Sequence, residues 1–316
     1  MHGRGYRAAP PEVVARRVAF RVLAARSGKV AGASALPLVT SNRSYVAMAL
    51  GGPGILDQDG VAACVGFSIA ACVTTRFSLC KAPIALVSPI GGYTVGRDIL
   101  RVPDVTGKLP LLIDNGLDPD VGAQGVQTYG LCSAATWGNF PASPSTINDE
   151  PTPAQLEAAK DFVLQGAYFI SGSNASILLQ VMQALASQYP VSNSVASSST
   201  TFDDYAGGVI AAASMTGTLD HYTMLIDYQW LSDEASFAAF VSGLQAGEID
   251  MTAISNLVLY GVNSWGESWG ESDVAGISGG LYRVQADALA AMDSFCVWDV
   301  TPVAGGTLQA HWKKAA

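Results

Sequence analysis

Asp57-Gln58-Asp59-Gly60-Val61-Ala62-Ala63-Cys64-Val65-Gly66-Phe67-Ser68 sets a glutamine six residues ahead of a cysteine that opens an apolar run. From Val61 to Val73 almost every side chain is small or apolar, which predicts a helix buried on most sides with Cys64 in its first turn. A helix N-terminus carries unpaired N–H groups and about half a positive charge, and both favour a thiolate over a thiol. Cys64 is therefore a candidate nucleophile. A lone cysteine in an apolar helix is ordinarily a packing residue, so its reading rests on what partners the chain supplies.

Hydrophobic residues make up 49% of the 316 and charged residues 14%, which excludes a disordered chain and predicts a substantial core. Residues 1–35 hold Arg4, Arg7, Arg16, Arg17, Arg21, Arg26 and Lys29 against Glu12 alone, a net +6 beside −15 for the rest. An acidic body with a basic leader argues against nucleic acid as substrate and leaves the leader as an arm for docking on a partner protein or an anionic surface. No stretch reaches the ~18–20 uninterrupted apolar residues that a helical membrane span requires. Arg16, Arg17 and Arg21 interrupt Val13–Ala25, so the leader does not read as a secretion signal. The five cysteines, Cys64, Cys72, Cys80, Cys132 and Cys296, show neither a disulfide-scaffold nor a metal-ligand spacing, and no metal or organic cofactor is expected.

Along the chain, residues 11–27 read as a helix ended by Gly28, and Ala31–Ala35 as a linker. Residues 81–118, rich in Pro, Gly and Asp, read as loops with little regular structure; a short helix is expected over Val121–Tyr129, stopped by Gly130. Thr152-Pro153-Ala154-Gln155 is a capping box that starts a helix running to about Leu164. Helices are also expected at Ala175–Ser187 and Ser232–Gly247, and strands at Val191–Thr201, Gly207–Ala213, His221–Trp230, Leu257–Val262 and Gly280–Val284. Helices first and strands later predict an α+β fold.

A nucleophilic thiol needs an imidazole, and the chain has His2, His221 and His311. His221 follows Asp220 and opens the apolar strand Tyr222-Thr223-Met224-Leu225-Ile226. Downstream lies Asn263-Ser264-Trp265-Gly266-Glu267-Ser268-Trp269-Gly270-Glu271. A neutral amide that accepts from one imidazole N–H aims the other nitrogen at the thiol, and a neighbouring Trp shields that bond from water.

With these blocks in order, the chain resembles the papain-like cysteine peptidases, and within them a bacterial or viral branch. Gln58 and Cys64 keep the family's spacing, with Phe67-Ser68 following as in its Cys-Trp-Ala-Phe-Ser pattern. Asn263-Ser264-Trp265-Gly266 and Trp269-Gly270-Glu271 match its Asn-Ser-Trp-Gly…Trp-Gly-Glu signature, and Tyr129-Gly130-Leu131-Cys132 through Trp137 resembles the bacterial Tyr-Gly-Val-Cys-Pro-Glu…Trp-Pro-Tyr region. The resemblance implies a two-part fold, with a helical part over about 36–140 and a β-rich part over about 141–305 flanking a cleft. Residues 1–35 would be an arm or propeptide remnant, too short for the family's long inhibitory prosegment, and 306–316 a tail. It implies a cysteine endopeptidase acting on a protein or peptide, with Cys64 as nucleophile, His221 as base, Asn263 as its orienter and Gln58 as oxyanion donor. Asp220, Trp265 and Trp269 would support them. The alternatives are a specialised or catalytically silent module of a larger assembly such as a phage particle, and an amidase acting on cell-wall peptides.

The departures are as specific as the matches. Val61 stands where animal and plant members carry a disulfide cysteine, Val65 replaces the Trp after the nucleophile, and Ala62-Ala63 replaces Gly-Ser. These changes would reshape the cleft beside the sulfur. Asn115-Gly116-Leu117 falls where the family's substrate-binding glycine pair lies, so Gly116 and Leu117 join Val65 as expected substrate contacts, with Leu117 narrowing the cleft.

Overall fold

Helix α1 (Arg43–Leu50) packs on helix α2 (Cys64–Leu79), all of whose residues are buried, as a sequence without a polar face requires. The computed structural model describes residues 6–7, 17–21, 23, 30–50, 55–81, 86–138, 145–159, 166–273 and 277–299. Helices α3 (Pro89–Asp98) and α4 (Pro119–Tyr129) enclose α2. Each starts at an oxygen cap followed by proline: Ser88 accepts from Gly91 N and Asp118 from Asp120 N and Val121 N. Gly130 ends α4 at φ 89°, as its sequence predicts.

Helix α3 falls in the stretch expected to be loop. Three glycines within Pro89–Asp98 lower its intrinsic helicity, and what recovers the helix is contact distance. A Cβ at Gly66 would lie 2.4 Å from Pro89 O, and one at Gly125 would lie 2.6 Å from both Gly96 Cα and Val95 O. The backbones of α2, α3 and α4 therefore touch directly, which only glycine permits. The local signal that was present is Ser88-Pro89, a cap followed by an N1 proline.

After the short α5 (Ala134–Trp137), α6 (Pro153–Ala158) opens on the complete Thr152–Gln155 capping box; residues 160–165, to which it was expected to run, lie outside the described residues. The remaining elements are β1 (Gly166–Phe169), α7 (Asn174–Ala186), β2 (Val191–Val195), α8 (Thr200–Asp203), β3 (Val209–Ile210), β4 (His221–Trp230), α9 (Glu234–Ala246), β5 (Leu257–Val262), β6 (Glu271–Asp273), β7 (Ile277–Gln285) and β8 (Asp293–Asp299). The strands join in the order β1-β8-β2-β4-β5-β7-β3, with β6 on β7; only β3–β7 is parallel. The strand expected over Val191–Thr201 stops at Val195, where the chain turns into α8.

Strand β4 is the seam. Tyr222, Met224 and Ile226 join the core around α2, while Leu225, Tyr228 and Trp230 join the core beneath α7 and α9. Burial on both faces gives β4 its near-continuous apolar run. Its Asp227 is fully buried and accepts from Thr40 Oγ1 (2.6 Å), Asn42 N (2.7 Å), Arg43 N (2.9 Å) and Arg43 Nε (3.0 Å), fastening the start of α1 to the sheet. Burial pushes that carboxyl up from its ordinary range, and these donors oppose the shift.

The basic leader lies on its own chain wherever it is described. Ala19 pairs with Phe169 of edge strand β1, and Phe20 and Leu23 are buried in the second core. Of the helix expected over 11–27, residues 20, 21 and 23 are helical and 17–19 are not; residues 11–16, 22 and 24–29, and the tail 306–316, lie outside the described residues.

Gly125→Ala should lower the urea midpoint by the equivalent of about 1–3 kcal/mol, because its methyl meets backbone that cannot yield. Gly243→Ala in α9, whose Cβ would find only Glu248 O at 3.6 Å, should raise stability by about 0.4–1 kcal/mol.

Candidate active site

The β4–β5 pairing, with Met224 opposite Val262, brings the first residue of β4 to the end of β5. There His221 Nε2 and Asn263 Oδ1 lie 2.6 Å apart, both residues buried. A carboxamide oxygen only accepts, so Nε2 carries the hydrogen and Nδ1 is the nitrogen left for a second partner. Asn263 is itself held: its Oδ1 also accepts from Ser264 N (2.8 Å) and its N donates to Gly280 O (2.9 Å). The Trp265 ring lies 4.7 Å from the His221 ring at 30°, and Phe202 and Trp269 extend that aromatic layer. Water is kept from the imidazole–amide bond, which strengthens it.

Cys64 reaches this end of β4 by register. Ser68 Oγ donates to Thr223 O (2.6 Å), and Cys72 Sγ lies 3.2 Å from Ser192 Oγ, on the residue opposite Met224. Helix α2 and strand β4 thus run in the same direction. Four helix residues, about 6 Å, match two strand residues, about 6.6 Å. Cys64 opens α2 four residues before Ser68, and His221 opens β4 two residues before Thr223, so both lie toward the same end of the two elements. No side chain caps α2, so its N-terminal dipole is not answered by a capping oxygen.

Gln58 is strapped to the same end. Its N donates to Ser264 O (2.9 Å), its Oε1 accepts from Ser264 Oγ (2.5 Å), and its Nε2 donates to Val61 O (2.9 Å), turning the amide nitrogen toward the Val61–Cys64 turn. Asp220 holds the loop after β2, accepting from Ser197 N and Ser197 Oγ, both at 2.8 Å. Trp269 Nε1 donates to Phe202 O (3.1 Å) and so ties α8 to the aromatic layer.

Two expected substrate contacts stand elsewhere. The Leu117 side chain fills the notch between Gly96 and Gly122 of α3 and α4, so it does not narrow the cleft; its backbone, not its side chain, faces out. Val65 is fully buried with its Cγ1 against Gly122 of α4, which removes it from any cleft wall. Gly116, at φ 84°, donates its N to Tyr93 Oη (3.2 Å), and Tyr93 Oη donates to Asp114 (2.8 Å), which also accepts from Ala62 N (3.1 Å). Tyr93 and Asp114 thus link the 114–117 loop to the turn before Cys64. Their sequence context offered only turn chemistry, and neither was expected.

The leader occupies the cleft between these walls. Tyr6 N donates to Asp220 O and Arg7 N to Leu117 O, both at 3.2 Å, so residues 6–7 bridge the two sides next to His221. Arg17 binds Asp120 through two bonds of 2.7 Å and lies 4.7 Å above the Phe169 ring. Short as it is, the leader expected to dock on a partner or an anionic surface docks in cis here.

Burial separates the cysteines chemically. Cys72 is pushed up to about 12 by burial, and Cys296 well above its ordinary value for the same reason, so both remain unreactive thiols near neutral pH. Among the described residues no group of three His, Cys, Asp or Glu is placed to hold a metal ion, and no helix is long and apolar enough to cross a membrane.

The fold matches solved structures of one family. Xylellain, a cysteine protease from Xylella fastidiosa, superimposes with a TM-score of 0.61 at 16% identity over 95% of this chain and 97% of its own. The fold is papain-like. Residues 165–285 match the model described as papain family cysteine protease. Bromelain from Ananas comosus, solved with the inhibitor E64, gives a TM-score of 0.54 at 16% identity over 84% of this chain and all of its own. Procathepsin L 3 from the Tenebrio molitor larval midgut gives 0.55 at 16% identity, over 84% of this chain and 70% of its own. No curated protein matches the chain by sequence.

Asp118, between Leu117 and α4, has its carboxyl raised from 3.8 to about 6, chiefly by burial, and its Oδ2 is buried without a hydrogen-bond partner. Its folded form keeps a proton that the unfolded form has lost, so its contribution to stability falls as pH rises from about 4 to about 6. Asp118→Asn keeps the cap and removes the titration. Melting temperatures of that variant should be flatter than wild type across that window.

Proposed function

We propose that the protein is a cysteine endopeptidase that hydrolyses peptide bonds through Cys64, His221 and Asn263. The observation that carries this reading is the 2.6 Å His221–Asn263 bond at the start of β4, the end of that strand toward which α2 opens with Cys64. A thiol at an uncapped helix N-terminus beside an oriented imidazole forms a thiolate–imidazolium pair, the state in which sulfur attacks a carbonyl.

In the first step the Cys64 sulfur bonds to the carbonyl carbon and the carbonyl electron pair moves onto oxygen. The Gln58 amide and the Cys64 backbone N–H face that oxyanion. His221 Nδ1–H then protonates the leaving amine as the C–N bond breaks, leaving a thioester. Water, losing a proton to His221, attacks the thioester and releases the acid. Asn263 keeps Nε2–H engaged through both steps, so Nδ1 alone exchanges protons. Cys64 and His221 are fully buried with the leader seated, so a substrate must displace residues 6–7 before the sulfur can meet its carbonyl.

Incubation with an epoxide thiol trap, followed by mass mapping, should modify Cys64 and spare Cys72, Cys132 and Cys296. Cys64→Ala should abolish both the adduct and peptide hydrolysis; a fully active Cys64→Ala chain would sink the reading. Gln58→Ala should lower kcat about 10²- to 10³-fold, the size expected for losing one oxyanion donor.

A further inference from the structure

Tyr6 does more than bridge the cleft through its backbone. Its ring, almost wholly buried, stacks on Tyr222 at 5.9 Å and 9° between planes, and its Oη lies 3.1 Å from Ser294 Oγ. Main-chain bonds to Asp220 O and Leu117 O hold any peptide alike, whereas a pocket for one side chain selects among peptides.

The pocket is built rather than incidental. Ser294 is a non-glycine residue in the left-handed region, at φ 53°, and it sits where the β2–β8 register shifts between Ser192 and Ser194. Such a bulge re-aims a side chain, and a residue held at positive φ persists because its surroundings impose it. Ser294 N donates to Asp293 Oδ1 (2.6 Å), and its carbonyl accepts from Tyr222 Oη (2.6 Å). One hydrogen bond thus fixes the stacking ring and the hydroxyl relative to each other. The leader's Arg17 Nη2 also donates to Ser294 Oγ (3.4 Å), so both polar partners that the leader offers this hydroxyl leave together when it is displaced.

We propose that the Tyr222–Ser294 pocket is a specificity subsite that takes the side chain of an unmodified tyrosine from a peptide in the cleft, and that Tyr6 is its intramolecular occupant. The subsite rests on the reading of the cleft as a peptide-binding cleft. Phenylalanine keeps the stacking but leaves the buried Ser294 hydroxyl without its partner; leucine also loses the stacking. Burial raises the Tyr6 phenol above its ordinary value, and the carboxylates of Asp293 and Asp118 add to that shift, so the pocket, tight around the ring, favours a neutral phenol.

The test uses full-length chains carrying Cys64→Ala, which binds without turnover, and capped Ala-Xaa-Ala peptides titrated by calorimetry. With Tyr6→Ala added, the Tyr peptide should bind at least about 10-fold tighter than to the chain with Tyr6 intact. It should also bind about 5-fold tighter than the Phe peptide, with Leu weaker still and phosphotyrosine undetected. Adding Ser294→Ala should bring Tyr to the level of Phe and leave Phe unchanged. Tyr6→Phe, which keeps the ring in the arm, should give a Tyr-peptide affinity between that of the chain with Tyr6 intact and that of the Tyr6→Ala chain. Equal binding of Leu and Tyr peptides, or a Tyr-to-Phe ratio that Ser294→Ala does not move, overturns the subsite. Hydrolysis by the Cys64-bearing chain without tyrosine preference overturns it alone; tyrosine-selective binding by a chain that hydrolyses nothing overturns the catalytic reading alone.

Discussion

Ser68 Oγ donating to Thr223 O at 2.6 Å inside the buried core sets how helix α2 sits along strand β4. Apolar contact between a fully buried helix and a fully buried strand is nearly indifferent to sliding, whereas an unpaired buried carbonyl is not. Ser192 Oγ reinforces the register by meeting Ser68 Oγ and Trp298 Nε1, both at 2.9 Å, and Cys72 Sγ at 3.2 Å. Every feature of the candidate site inherits that register. A slide by one helical turn would carry Cys64 about 5.4 Å along β4 while leaving the apolar burial almost unchanged.

The charge imbalance of the chain acquires a structural meaning in the cleft. A net +6 leader beside a −15 body reads equally well as a tether for another molecule or as an intramolecular clasp. The bidentate Arg17–Asp120 pair, the Ala19–Phe169 bridge and the Tyr6 pocket show the second arrangement. Edge strand β1 offers the leader its free main chain, and the cleft walls at Asp220 and Leu117 offer two more carbonyls. The leader is held by contacts spread from Tyr6 to Leu23, so no single pair carries the clasp.

Elements with complete local signals are legible in the chain itself. Strand β4 runs over the residues its apolar pattern marks, α9 shows its Phe237, Phe240, Val241, Leu244 face inward, and α6 starts on the capping box read from Thr152 and Gln155. Helix α3 is not legible in that way, because its glycines are unfavourable locally and become favourable only where another backbone presses on them. Leu117 was placed on the wrong surface for a related reason. A residue type says how much space a side chain fills, not which side of the backbone holds the notch for it.

What the sequence determined by itself was a set of reactive groups and their local settings: a cysteine opening an apolar helix, a histidine opening an apolar strand, an Asn-Ser-Trp-Gly block, and the capping box that starts α6. These depend on neighbours within a few residues, and such contacts are written in order along the chain. The tertiary structure alone decided that Leu117 turns inward, that Ser294 is twisted at a bulge to face the cleft, and that Tyr6 crosses 288 positions of sequence to meet it. Each of those outcomes depends on packing between segments distant in the chain, where the geometry is a property of the assembled walls and of no single stretch.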